Sequence, residues 1–527
     1  MAELVVSGTD TVKLIRPQAQ IARASAAITA FVGRALKGPV HQSVAIDSFE
    51  DYQRIFGGLW QPSMLSYAVE QYFDSGGSEC VVVRVCNGGS APTLRLPAGA
   101  FALTLVGVAP GTREFLRASV DYDGIPADQT DRFNLVLQRV RAPGSELIEE
   151  QEIFRRVSIA AGADRSVAAA LAQSRLARVQ GELPAVRPER SGGTSPAAVV
   201  GYVHSHGDGD DGDVLTDYDI IGDANSRTGL FALRDAEAFN FVCIPPLTRE
   251  RDVGLSALLV ALRLCRERQA MLLLDPPSAW TDAAAAISAV RSWPFFSEDA
   301  LMVYPRIQGF DRLRGRDEIF GSAAGAAGLI ARATRSCPVW SAAADQELTL
   351  PAGTRAAASV TDVDRVLLAQ AGVNVLQPGR GGQRPRRGLR TLLPERSARN
   401  EWRYVSARRL ALFLMRSVES GTRWTVFEQP GAPLWSRVSA QVVDFFAALD
   451  DEGAFVGGNA EENYFVICDE RINPPAQVQV GSFQLLFGFA VSKPGEFHAC
   501  LVHHGLTTSS VRPVSVNRYA LPWHGRP

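Results

Sequence analysis

The chain is almost without lysine: Lys13, Lys37 and Lys493 are the only three, so nearly all of its 54 basic residues are arginine. Against them stand 56 acidic residues, a balance that leaves no global field to recruit nucleic acid or a membrane surface. Arginine is the better bidentate interface partner, though codon bias alone is the plainer source of such an excess. Cysteine is also scarce. Of the seven (Cys80, Cys86, Cys243, Cys265, Cys337, Cys468, Cys500), all but Cys86 and Cys337 lie in apolar runs and no two form a CxxC pair. That excludes a disulfide frame or zinc ribbon and predicts reduced core thiols of a cytosolic product. The opening "MAELVVSGTDTVKLIRPQ" lacks the basic head and apolar core of a signal peptide. No apolar run approaches the ~20 residues that cross a bilayer, so no membrane insertion is expected.

Catalytic motifs are missing as well. "GRALKGP" puts Pro39 where a phosphate loop needs lysine, and no HExxH, GxSxG or GxGxxG occurs. "GSAAGAAG", Gly321 to Gly328, is followed by no lysine or magnesium ligand and reads as a close-packed turn or helix start. The densest cluster of possible ligands is "YVHSHGDGDDGD", Tyr202 to Asp213. His204 and His206 share a face if the segment is extended, which would suit a metal-dependent enzyme. However, Asp213 stands where a calcium loop needs glycine and Asp219 where it needs glutamate. A solvated loop is the preferred reading. His503 and His504 are adjacent in an apolar strand, so their side chains point to opposite faces and suit structural roles. No cofactor, metal site or catalytic residue is assigned.

At 527 residues the chain is too long for one core. Residues 1–27 have β-branched residues without a period and read as an extended arm. Residues 28–87 give a buried strand, the helix "DSFEDYQRIFGG" with Ser48 as N-cap and Gly57-Gly58 as its stop, a second helix, and the buried strand "ECVVVRVC". Residues 88–212 change to strand-and-turn texture, an inserted, mainly-β domain, and 213–341 return to alternating strands and helices. The segments 28–87 and 213–341 thus form one split α/β core. Residues 342–505 read as a C-terminal α+β domain with strands at "GVNVL", "RWTVFE", "ENYFVICDE", "VGSFQLLFGFAV" and "EFHACLVHH". Two amphipathic helices separate them, one with Leu410, Phe413, Leu414 and Val418 on a face, the other with Trp435, Val438, Val442, Phe446 and Leu449. Residues 506–527 form a second extended arm. The fold class is multi-domain α/β and α+β.

The segment 380–416 is dense in arginine, with Trp402 and Tyr404 nearby. Charge alone suits nucleic acid, an acidic protein partner or a solvated face.

The C-terminal region, from "AGVNVL" through "EWRYVSARRLALFLMRSVESGTRWTVFEQPGAPLWSRVSAQVVDFFAALDDEGAFVGG" to "ENYFVICDERIN" and "VGSFQLLFGFAVSKPGEFHACLV", closely resembles the contractile tail sheath family of phage tails, contractile bacteriocins and extracellular injection systems. "TAFVGRALKGP", "FEDYQRIFGG", "AVEQYFDSGGSECVVVRV" and "GSAAGAAGLIARATRSCPVWSAAA" resemble its upstream motifs in the same order. The resemblance implies a structural subunit rather than an enzyme. Such subunits polymerise as stacked hexameric rings around an inner tube protein, with baseplate and terminal cap proteins as further partners. They are assembled in the cytoplasm into a phage tail or tail-like particle that can be released from the cell. Terminal arms add strands to the C-terminal sheets of neighbours and hold the mesh while the bodies rotate outward on contraction. The residues expected in the arms' pairing are Val5, Val6, Val12, Leu14, Val511, Val514 and Val516; those expected to face the tube are Arg384, Arg386, Arg387, Arg390, Trp435, Arg437 and Gln441.

Overall fold

The computed structural model describes residues 20–192, 201–341, 348–351, 353–377, 388–397, 400–475 and 481–515. The chain divides into two units, Ser25–Arg408, and Arg409–Pro527 together with Met1–Ala24.

The first unit opens with β1 (Thr29–Gly33), β2 (Ser43–Ile46), α1 (Phe49–Phe56), α2 (Met64–Asp74) and β3 (Cys80–Arg84). The local signals in α1 act as the sequence predicts: the Ser48 side chain accepts the Asp51 N–H, and Gly57 ends the helix at φ 93°. There follow β4 (Thr93–Ala98), β5 (Phe101–Gly107), β6 (Phe115–Asp121), β7 (Arg132–Val140), β8 (Ile148–Ser158), α3 (Val167–Leu171), β9 (Ala177–Val179) and β10 (Val203–His204). These strands make two antiparallel sheets, ordered β10-β6-β7-β8 and β4-β5-β9. Leu94, Leu103, Leu116, Phe133 and Leu171 are buried between them, so the inserted region has its own core.

The alternating pattern then resumes with α4 (Asp217–Ile221), β11 (Phe241–Cys243), α5 (Leu255–Glu267), β12 (Met271–Leu274), α6 (Ala283–Val290) and β13 (Ala300–Tyr304). A hairpin of β14 (Ile307–Asp311) and β15 (Arg316–Phe320) leads to α7 (Ala323–Ser336), β16 (Arg355–Ala356), α8 (Asp362–Gln370) and β17 (Val373–Val375). The main sheet runs β17-β13-β12-β11-β1-β3-β2, parallel except for β2. Since β1 pairs with β3 on one side and β11 on the other, the sheet interleaves strands from before and after the insertion. Its inner strands β1, β3, β11, β12 and β13 are buried on both faces, as parallel sheets require.

The glycine-rich "GSAAGAAG" starts α7, which packs on α2; a Cβ on Gly328 would come within 2.2 Å of the Tyr72 carbonyl oxygen. At that helix start the Asp275 carboxylate accepts the N–H groups of Ser322 (2.7 Å) and Ala323 (2.8 Å), filling the place an anion would take. Desolvation pushes its pKa up, against the two N–H groups it accepts.

The two units divide at Arg408–Arg409, whereas the sequence reading begins its C-terminal domain at 342. "GVNVL" continues the first unit's parallel sheet: Met302 to Tyr304 pair with Val373 to Val375, and the Asn374 amide donates to the carbonyls of Met302 and Arg390. A helix followed by a short parallel strand is one more crossover unit.

The second unit begins within α9 (Val405–Thr422) and continues with α10 (Ala432–Asp451), α11 (Ala460–Asn463), β18 (Tyr464–Ile467), β19 (Phe483–Ala490), β20 (Phe497–His504) and β21 (Ser509–Val514). The strands form one antiparallel sheet in chain order. "RWTVFE", expected as a strand, is a 3-10 turn at Arg423–Phe427. Its β-branched content favours a strand, but the chain must reverse there between two long helices, and tertiary demand overrides propensity. Phe446 sits at the centre of this core, with the rings of Tyr464 and Phe487 at 5.4 and 5.7 Å. Burying such a ring contributes about 1.5–3 kcal/mol.

Candidate functional site

The acidic run 202–213 folds as a clasp across the two ends of the insertion. The Asp208 carboxylate accepts the backbone N–H and the hydroxyl of Thr93, at 2.7 and 2.6 Å. Asp211 does the same for Thr112, at 2.8 and 2.9 Å. Backbone bonds from Asp210 to Ser90 and from Asp213 to Asn87 complete the seam. Thr93 holds the Asp208 carboxyl below its usual pKa, chiefly through the side-chain hydrogen bond. His204 and His206 are exposed beside this seam, and among the described residues no three His, Cys, Asp or Glu side chains gather as metal ligands. The loop is therefore not the freely solvated linker the sequence suggested, because two of its carboxylates are committed to threonines, Thr93 on β4 and Thr112 in the turn before β6.

Beneath the clasp lies a buried ionic junction that sequence reasoning missed. Arg84, 2% exposed, donates to the carbonyls of Ala35 (3.0 Å), Gly38 (2.6 Å) and Pro110 (2.7 Å), the last within the insertion. Burial lowers its pKa, with Glu114 the leading opposing charge. Glu114 accepts the Gly38 N–H at 2.6 Å and the Arg139 guanidinium at 2.9 Å, and Lys37 pairs with Glu149. The available signal was a lone arginine inside the β-branched run "VVVRV", since a charge in a two-sided buried strand must have partners.

In the second unit, His503 and His504 do face opposite ways. His503 Nε2 meets Ser482 Oγ at 2.9 Å, whereas His504, 1% exposed, meets Thr422 Oγ1 through Nε2 and Ser509 Oγ through Nδ1, both at 2.8 Å. Burial pushes the His504 pKa down to about 4, with Arg423 and His503 adding to the effect. Ser509 in turn donates to Glu419.

Of the residues expected in the arms, Val5, Val6, Val12, Leu14 and Val516 lie outside the described residues. Val511 and Val514 do not project from the body. They belong to β21, opposite Val502 and Ala499 of the chain's own β20. The physical reason is proximity: a short turn presents the strand to its own sheet at high effective concentration. Pro513, lacking an N–H, sits in this strand at the sheet's edge, where proline is tolerated. Among the described residues neither β18 nor β21 has a second strand partner, so both sheet edges are open to strand addition. The root of the N-terminal segment is pinned to the same unit: Ile21 is 7% exposed, Arg23 pairs with Glu452, and the Ala24 N–H donates to Ser417 Oγ at 3.0 Å.

Of the expected tube-facing residues, Arg384, Arg386 and Arg387 lie outside the described residues. Arg390 stacks over Tyr404 at 5.8 Å in the first unit. On α10, Gln441 is 5% exposed and belongs to the helix's inward face with Val438 and Val442, so it is withdrawn from any surface. Trp435 is half-buried. Arg437 is exposed, lies over the Trp424 ring at 4.6 Å and pairs with Glu428 at 3.2 Å. Among the described residues no helix is long and apolar enough to cross a membrane.

No family model and no curated protein sequence matches the chain. Solved structures do. The sheath tail protein Lin1278 from Listeria innocua aligns with a TM-score of 0.56 at 11% identity, covering 93% of this chain and 97% of that one. The sheath complex of an extracellular contractile injection system, PVC, in its contracted state aligns with a TM-score of 0.51 at 15% identity, over 94% and 97%. A chain of the anti-feeding prophage baseplate in its contracted state gives 0.51 at 18%, again over 94% and 97%. The chain has the fold of contractile sheath proteins, along nearly its whole length.

Proposed function

We propose that this chain is a sheath subunit of a contractile injection apparatus, polymerising with copies of itself in hexameric rings around an inner tube and contracting to drive that tube through a target envelope. The observation that carries the reading is the near-complete overlap in fold with sheath proteins, both units and the insertion included. The second unit's sheet supports it, with two open edges for two terminal segments. In the lone chain β21 closes one position of that sheet. In the polymer the same main-chain pairing is made by a neighbour's arm, exchanging like for like at little net cost. The N-terminal segment, with Val5, Val6, Val12 and Leu14, supplies the other added strand, and Val511, Val514 and Val516 lie on the exchanged C-terminal one. The residues offered to the tube are Arg384, Arg386, Arg387 and Arg390 from the arginine segment and, on the second unit, Trp435 and Arg437 of α10. Baseplate and cap proteins terminate the polymer, which forms in the cytoplasm and acts at or outside the cell surface.

Electron microscopy of the purified chain tests this directly. Hollow helical tubes are expected, and a variant lacking residues 1–25 should keep its folded body but form none. Discrete monomers under all conditions, or ordinary tubes from the truncated chain, would count against the reading.

A further inference from the structure

A groove of about 840 Å³ opens in the first unit between α1, the loop after β1 and the β7–β8 hairpin. Five cations line it, Lys37, Arg54, Arg113, Arg141 and Arg312, against the three carboxylates Glu50, Asp51 and Glu149. Their pairing is uneven. Arg54 is matched by Asp51, Arg312 by Glu70 and Lys37 by Glu149. Arg141, 62% exposed, is left with a 3.6 Å approach to that same Glu149, and the exposed Arg113 has no acidic partner among the described residues. Glu50 is the one lining carboxylate left unpaired among the described residues, so the rim keeps a small positive excess, carried by Arg113 and Arg141.

The second unit carries the opposite imbalance. From Asp444 to Glu462 there are six carboxylates and no lysine or arginine. Three are used internally: Asp450 accepts the Asn463 amide, Glu452 pairs with Arg23, and Glu462 accepts the Gly458 N–H. Asp444, Asp451 and Glu461 are exposed, with no cationic partner among the described residues. Asp450, Asp451 and Glu452 stand at the C-terminal end of α10, whose last turn has no basic residue. Carboxylates there oppose the helix dipole. A placement that weakens the isolated helix makes sense when a cation arrives from outside.

We infer that the groove receives the acidic end of α10 and α11 from a second copy of this chain, an inference that rests on the self-assembling sheath reading and gives it a specific contact. The two surfaces differ, so the contact is heterologous: each copy offers a groove to one neighbour and an acidic end to another, and repetition propagates a ring or helix. Exposed rim charges make such a contact selective and salt-sensitive.

The test uses the full-length protein, measuring the pelletable polymer fraction at low and moderate salt with thermal unfolding as a folding control. Arg113→Glu with Arg141→Glu should lower the polymer fraction about tenfold, the scale expected from losing ~1.4 kcal/mol per contact. Asp451→Arg with Glu461→Arg should do the same, and the chain carrying all four substitutions should regain assembly. Wild-type polymerisation by either folded double variant, or failure of the folded quadruple variant to recover, would overturn the contact while leaving the sheath reading intact. Absence of polymer from the wild-type chain itself would overturn both.

Discussion

The Asp211 carboxylate holds Thr112 by two hydrogen bonds, to the backbone N–H at 2.8 Å and to the hydroxyl at 2.9 Å, across 99 residues of sequence. With the equivalent pair of Asp208 and Thr93, it closes the loop that leaves the insertion onto β4 and the turn before β6. Hydrogen bonds to a charged acceptor contribute roughly 1.5–3 kcal/mol when buried and less at an exposed seam. The chain with both Asp208→Ala and Asp211→Ala should keep the insertion folded on its own core but free the 205–213 loop. Limited proteolysis should then cut there at least ~10-fold faster, the effect of about 1.4 kcal/mol on local opening. Unchanged cleavage would mean that the backbone bridges alone hold the seam.

Arg84 has a different kind of importance, because its charge cannot escape to water. Its three carbonyl acceptors belong to two structural layers, the sheet's edge loop and the insertion. Arg84→Met leaves those carbonyls unsatisfied and Glu114 with less compensation, a loss of about 3–5 kcal/mol. Arg84→Lys should recover only part of this, since one ammonium cannot span three divergent acceptors. Urea unfolding of the three proteins gives the order wild type, Lys, Met. A Lys variant equal to wild type would show that charge alone suffices.

Why some of this was legible in sequence and some was not follows from range. Ser48, Gly57 and the faces of α9 and α10 act within a few residues, so caps and periodicity revealed them. The placement of Val373–Val375 in the first sheet depends on pairing with a strand some 70 residues earlier, which no local pattern encodes. Gln441 is polar yet turned inward, and a polar letter on an amphipathic helix reads as surface. The clasp was visible as composition only: acidic residues at a junction announce solvation, while their threonine partners lie about a hundred residues away.

Gly421 makes room for the root of the N-terminal segment. A Cβ at this position would lie 2.8 Å from two atoms of Ile21, closer than carbon atoms tolerate. Gly421→Val should therefore expel Ile21 from its site, weakening the anchor that Arg23 and Ala24 share. The expected result is faster proteolysis within residues 1–27 and fewer polymers. A branched residue inside α9 also lowers helix propensity slightly, so Gly421→Ala is the control; being the better helix former, it should strengthen α9 while still crowding Ile21. Protection of the segment in both variants would show that Ile21 does not need the slot.

His504 gives the second unit a dependence on acid whose sign is fixed by its environment. Its pKa falls to about 4 through burial, with Arg423 and His503 opposing a further positive charge, while the unfolded imidazole titrates near ~6.5. Between those values the unfolded chain binds a proton that the folded one refuses. The contribution to stability is therefore complete above the unfolded pKa, declines as pH falls, and is exhausted once pH passes below the folded value. Two to three pK units correspond to roughly 3 kcal/mol. Protonation also makes both ring nitrogens donors, so that the hydroxyls of Thr422 and Ser509 must both accept and each must send its own proton elsewhere. Ser509 already donates to Glu419, the nearest acid in the chain of contacts, and Thr422 also reaches the Val418 carbonyl at 2.7 Å. The geometry can accept the charged ring, so the loss comes from desolvation and the neighbouring cations rather than from broken bonds. Urea unfolding of the β19–β21 segment, followed by proteolysis at pH 7.5 and 4.5, should show a wild-type loss exceeding that of His504→Gln by about 2–3 kcal/mol. Equal losses in the two proteins would assign the acid sensitivity to other groups.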